Sequence, residues 1–164
     1  HTRTRRQRQM CIRDRSYNDL KFKMQYYCSY QDRCHFEVLN KVNSYNATYD
    51  EKESLIAELI NEDYLNETRF AKSFSRGKFK FKNWGRNRIK LELKRRKLSN
   101  RNIKIGLSEL DENDYEEKFC SLFQKTNDKY KSLNIMTRKK KIFDYLIYRG
   151  WEKDKIFKKL YELK

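Results

Sequence analysis

Between Arg76 and Lys97 the chain carries eleven lysines and arginines against one carboxylate, Glu92, so this stretch alone holds ten excess positive charges. Cationic side chains in that density neutralise phosphate or dock on acidic protein surface. Arg76, Lys78, Lys80, Lys82, Arg86, Arg88, Lys90, Lys94, Arg95 and Lys97 are therefore the candidate contacts to a polyanion or a protein partner. On a helix, Arg86, Lys90, Lys94 and Lys97 fall at i, i+4, i+8 and i+11, a single stripe beside the apolar pair Ile89 and Leu93. A solvated face that only keeps the protein soluble is the competing reading. Phe79 and Phe81 alternate with Lys78, Lys80 and Lys82 just ahead of Trp84, a pattern that can stack bases while neutralising phosphates. The same alternation suits an extended linker whose two rings plug a seam between structural units, and burial of the rings is the preferred reading.

No catalytic constellation accompanies this charge. The chain has neither a Gly-rich phosphate loop ending in Lys-Ser/Thr nor a Gly-x-Ser-x-Gly elbow, and His35 has no partner by motif. Asp63 with Glu67, and Glu116 with Glu117, stand where carboxylates favour the exposed N–H groups of a helix start, which explains them without chemistry. Cys28, Cys34 and His35 lack the second short-spaced ligand pair that a structural zinc site needs. Cys28, Cys34 and Cys120 are the three cysteines of residues 16–164, an odd number in a chain showing no export signal, so they are read as reduced and partly buried. The expectation is no catalytic residue, no metal and no cofactor. No apolar run approaches the roughly 20 residues needed to cross a bilayer, which points to a soluble, cytoplasmic protein without a membrane partner.

The elements that must hold the basic stretch are announced by a repeat. The segment from Ile89 to Leu110 recurs without a gap from Ile142 to Leu163 at a constant offset of 53, carrying Leu93 onto Leu146, Leu98 onto Trp151, Ile103 onto Ile156 and Leu107 onto Leu160. Ile89 and Leu93 lie one turn apart, and Ile103, Leu107 and Leu110 mark one face of a second helix, so the unit reads helix, short turn, helix. Ser99 is a candidate N-cap and Gly150 a candidate residue just past a helix end. A weaker first copy places Val38 and Val42 on Ile89 and Leu93, and Leu55 and Leu59 on Ile103 and Leu107. Leading helices fit at Leu20 to Cys28, Arg69 to Phe79 and Tyr115 to Phe123. Asn113 with Glu116 is the expected capping box of the last, and Thr137 precedes a helix to Tyr148. Tyr145, Tyr148 and Trp151 are expected in the core.

These readings give an all-α fold of three tandem three-helix repeats, 16–66, 67–112 and 113–164, in an elongated or curved array. The absence of proline and the abundance of Lys, Glu and Leu agree with it. Residues 1–15 are set apart: Arg5 to Asp14 match the translation of a sequencing-library transposon adapter, and the segment is expected to be non-native and disordered. It contributes +5 of the formal charge of +17.

Three segments taken together, Tyr64-Leu65-Asn66-Glu67-Thr68-Arg69-Phe70-Ala71, Lys82-Asn83-Trp84-Gly85-Arg86-Asn87-Arg88-Ile89 and the Glu-Leu-Lys-Arg-Arg-Lys-Leu-Ser run from Glu92, resemble the RecX family of regulatory proteins. Arg33-Cys34-His35-Phe36-Glu37-Val38 sits where many members carry Arg-Ser-x-x-Glu-Leu, so the likeness covers residues 17–164. It departs at Asn66, where the family has an aspartate, and at Cys34, where serine is usual. The resemblance implies an interaction protein that binds the RecA recombinase filament on single-stranded DNA, and the chain is expected to be a monomer. Such a protein restrains recombinase, ATPase and coprotease activities in recombination, DNA repair and the SOS response. The other reading is a stand-alone basic protein whose helix-turn-helix-like units bind the phosphate backbone of single- or double-stranded DNA.

Overall fold

The structure, a computed structural model, describes the backbone of residues 5–163 and the side chains of residues 16–163. Among the described residues there are nine α-helices and no strand: α1 (Arg5–Tyr30), α2 (His35–Val42), α3 (Tyr49–Asn61), α4 (Glu67–Lys82), α5 (Arg86–Arg95), α6 (Asn100–Ser108), α7 (Glu112–Lys129), α8 (Ile135–Tyr148) and α9 (Lys153–Tyr161). They form three triplets, each with a long leading helix. The backbone is helical from Arg5, well ahead of the leading helix read from the sequence. The expectation that residues 1–15 are non-native and disordered falls on residues whose side chains lie outside the described set.

Helix starts follow local chemistry. Thr48 and Glu51 make a reciprocal capping box at α3, and the Ser99 hydroxyl accepts the Asn102 N–H at α6. Asn66 keeps the capping role expected of the aspartate it replaces, its Oδ1 accepting the Arg69 N–H at 3.0 Å. Two starts are corrected. Asp111, not Asn113, caps α7, because one carboxylate oxygen accepts both the Asn113 and Asp114 N–H groups and an anion there also suits the helix dipole. The helix α8 begins at Ile135, with Asn134 accepting the Thr137 N–H, so Thr137 lies inside the first turn.

The chain divides into two compact units, His1–Phe70 and Ala71–Lys164, with the break inside α4. In the first, Leu20, Met24 and Cys28 of α1 meet Val38 and Val42 of α2 and Leu55 and Leu59 of α3 in one apolar cluster. In the second, Ile89, Leu93, Ile142, Leu146 and Ile156 are wholly buried. The same unit holds a run of rings: Phe79 stacks on Tyr115, Tyr115 lies 4.5 Å from Trp151, and Trp151 lies 5.5 Å from Phe119. Leu107 is only half-buried, whereas its counterpart Leu160 is buried.

Candidate polyanion interface

The basic stretch occupies the second half of α4, a tight connection through Asn83 and Gly85, and α5. Because α4 stays helical to Lys82, residues 79 and 81 point to different faces, and the linker reading fails. Phe79 is buried against Tyr115, whereas Phe81 is 74% exposed, so burial holds for one ring only. The start of α5 is buried in backbone contacts. The Gly85 N–H donates to the Arg149 carbonyl at 2.8 Å, the Arg86 N–H to the Tyr115 hydroxyl oxygen at 3.0 Å, and the Asn87 N–H to the Gly150 carbonyl at 3.1 Å. These are amides that a helix start cannot satisfy internally. The approach needs glycine on both sides: a Cβ on Gly85 would collide with the Gly150 carbonyl oxygen, and one on Gly150, already at φ +84°, would collide with the Arg88 backbone.

Burial at its start gives Arg86 a role different from that of the rest of the stripe. Its guanidinium pairs with Glu112 at 2.6 Å and lies 4.1 Å from the centroid of the Tyr115 ring, while the Tyr115 hydroxyl donates to Glu152. The Glu112 bond holds the Arg86 pKa above its ordinary value and the Glu112 carboxyl below the usual range, and burial pushes Tyr115 up. At the other end Lys97 is not on the helix. It takes a left-handed conformation (φ 60°) in a closing turn where the Leu98 N–H donates to the Leu93 carbonyl and the Lys97 N–H to the Lys94 carbonyl. The four-residue stripe is thus reduced to its middle, Lys90 and Lys94.

Carboxylates occupy other members. Arg76 pairs with Glu109 at 2.7 Å, alongside Lys72, and Arg95 pairs with Glu92 at 2.8 Å, alongside Arg96. Burial pushes the Glu92 carboxyl up, but Arg96 and Arg95 outweigh it and hold it below the usual range. Lys78, Lys80 and Arg88 rest on rings instead. The Lys78 ammonium lies 5.2 Å from the Phe74 centroid and 5.3 Å from that of Trp84, Lys80 covers Phe81, and Arg88 lies 4.5 Å from Trp84 and 4.4 Å from Tyr148. Arg96 also lies over Phe74, 4.8 Å from its centroid. The result is a ladder in which Arg96, Phe74, Lys78, Trp84, Arg88 and Tyr148 alternate cation and ring. Lys82, Lys90 and Lys94 are exposed, and their ammonium groups have no carboxylate partner among the described residues.

The sequence reading missed Phe74 and Tyr148 as parts of this surface and placed Tyr148 in the core, although it is 69% exposed beneath Arg88. No local signal would have found Tyr148, because it comes from α8. Lys118 of α7 was also missed. Its ammonium donates to the Lys80 carbonyl at 2.9 Å and to Asn83, closing the end of α4, and burial together with Lys125 and Lys80 lowers its pKa. No cluster of histidine, cysteine and carboxylate side chains suited to a metal occurs among the described residues.

Residues 66–107, which contain α4, α5, all but the last residue of α6 and the whole ladder except Tyr148, match the family description "RecX, second three-helix domain". Over that segment the chain is similar to the RecX family. It is 26% identical over 128 residues to the regulatory protein RecX of Lactobacillus johnsonii, covering 78% of this chain and 47% of that one. To the regulatory protein RecX of Lactobacillus gasseri it is 28% identical over 89 residues, 54% of this chain and 33% of that one. The chain thus spans half or less of the length of these RecX relatives. Two solved RecX structures share the fold. One superposes with a TM-score of 0.82 at 16% identity, covering 98% of this chain and 80% of its own. RecX from Lactobacillus salivarius superposes at 0.76 and 24% identity, covering 90% and 97%. The all-α RecX repeat fold expected from the sequence is therefore present.

Proposed function

We propose that this chain is a regulatory protein that binds the RecA recombinase, chiefly its filament on single-stranded DNA, and restrains its recombinase, ATPase and coprotease activities. The likeness to regulatory proteins named RecX suggests the partner. The observation carrying the reading is that Lys82, Lys90 and Lys94 stand exposed and without carboxylate partners among the described residues, near the cation-ring ladder, a surface open to an external anion. The rings of the ladder and exposed Phe81 suit single-stranded nucleic acid, which presents phosphates and unstacked bases together. The protein acts by occupation, as a monomer in the cytoplasm, and performs no chemistry.

A RecA ATPase titration tests this. Wild-type protein should inhibit when substoichiometric to DNA phosphate, and Lys82→Glu/Lys90→Glu/Lys94→Glu should lose most of the inhibition while its melting curve stays unchanged. Undiminished inhibition by the folded triple variant would reduce the surface to a solvated face. Anisotropy with single-stranded DNA alone, at the same salt, separates the stand-alone DNA binder: affinity equal to that for the RecA filament would favour that second reading.

A further inference from the structure

The third helix triplet carries a surface that the basic face does not explain. Met136, Lys139, Lys140 and Phe143 of α8 and Phe157, Leu160 and Tyr161 of α9 line an open groove of about 340 Å³. Phe143 and Phe157 stack at 5.0 Å along it, Leu160 is buried at its base, and Met136 and Tyr161 stand 76% and 83% exposed at its mouth. Large apolar groups left in water on one contiguous surface mark an interaction site more often than chance.

The repeat shows that these groups are no requirement of the fold. Shifted by 53 residues, Phe143, Phe157 and Tyr161 correspond to Lys90, Lys104 and Ser108, so the second copy forms α5 and α6 with polar residues at these three places, while Met136 lies in the extra first turn of α8 that α5 lacks. Nor does the groove reproduce the seam between the second and third copies. That seam requires glycine at position 85, and the counterpart is Arg138, held inside α8 by the extra turn that begins at Ile135.

Charge identifies the occupant. No carboxylate lines the groove, and Lys139 and Lys140 have no ion-pair or hydrogen-bond partner among the described residues. The nearby Glu162 is engaged by Lys159. We propose that the groove between α8 and α9 binds a short acidic peptide segment carrying one bulky apolar anchor. The anchor lies on Phe143, Phe157 and Leu160, and its flanking carboxylates meet Lys139 and Lys140. An apolar anchor supplies most of the affinity of such a contact, and the rim charges set its specificity and salt dependence.

The probe is a fluorescein-labelled peptide with a single phenylalanine among aspartates and glutamates, compared by anisotropy with the same peptide carrying serine instead. The phenylalanine peptide should bind at least about ten-fold tighter than the serine peptide. Lys139→Glu/Lys140→Glu, and separately Met136→Ser/Tyr161→Ser, should each weaken it by about ten-fold or more, and thermal melts should show both variants folded, since Met136, Lys140 and Tyr161 are exposed and Lys139 is half-buried. Lys90→Glu/Lys94→Glu should leave this binding unchanged, and amide shift changes should map to α8 and α9. Absent binding, equal affinity for both peptides, or shift changes centred on α4 and α5 would overturn the proposal. Self-association in sedimentation that Met136→Asp abolishes would also overturn it, by assigning the groove to a second copy of the chain.

Discussion

One helical turn separates Arg86 from Lys90, yet the two cations serve different ends. Arg86 is tied to Glu112 and laid on Tyr115, so Arg86→Glu places like charges together in a half-buried site and should destabilise the fold by about 2–4 kcal/mol. Lys90→Glu, on an exposed position, should shift stability by no more than about 0.5 kcal/mol. Denaturant melts of the two variants check the contrast. The sequence showed only that both were basic, because the partner of Arg86 lies 26 residues away and is found only once α7 packs beside α5. The thiols differ in the same manner. Burial pushes Cys28 up to about 11 and Cys34 is fully buried, whereas Cys120 is exposed. Iodoacetamide at neutral pH should alkylate Cys120 promptly and reach Cys28 and Cys34 only on unfolding, as read by mass spectrometry.

At the scale of helices, apolar spacing was the legible signal. Ile89, Leu93, Ile142, Leu146 and Ile156 were placed in the core by their period and are there, because a 3.6-residue rhythm leaves a helix one face to bury. Five residues of alternation in Phe79 and Phe81 misled, since so short a pattern does not separate strand-like from helical backbone when Lys and Phe both tolerate helix. Leu146→Ala should cost about 2–5 kcal/mol, and half-exposed Leu107→Ala distinctly less. Glycines in the second unit divide sharply. Gly77 lies within α4 with open space where a Cβ would go, so Gly77→Ala should raise stability by about 0.5–1 kcal/mol, whereas Gly150→Ala should lower it by more than that. Thermal melts of the pair read the opposite signs. The ion pairs that steady α5 and α6 also set an acid limit. Glu92, Glu109 and Glu112 have folded pKa values below their ordinary ones, so their stabilisation is present above the ordinary carboxylate pKa of about 4.3 and fades as pH falls through the lower folded values. Glu112→Gln should flatten part of that acid-side loss in melts run from neutral pH downward.

Over the molecule as a whole, charge is the dominant feature: residues 16–164 carry +12, and ten of those charges arise between Arg76 and Lys97. Binding to single-stranded DNA or to a filament that exposes it should therefore weaken steeply with salt. Replacing Lys82, Lys90 and Lys94 by glutamine should reduce the slope of log K against log salt by about 2, at roughly 0.7 for each phosphate no longer neutralised. Anisotropy over a salt series gives that slope directly, and an unchanged slope would mean that these lysines touch no phosphate. The repeat was readable across the chain because each copy spends the same few apolar positions on its core. The joint between the second and third copies was not, because it is made of backbone. In that joint the first amides of α5 find their acceptors on Tyr115, Arg149 and Gly150, the last of these more than sixty residues further along the chain. A ribosome delivers α5 well before it delivers the turn that completes it. For that interval the start of α5 is left to water, open to proteases and to wrong partners, and the second copy reaches its final form only as the third emerges.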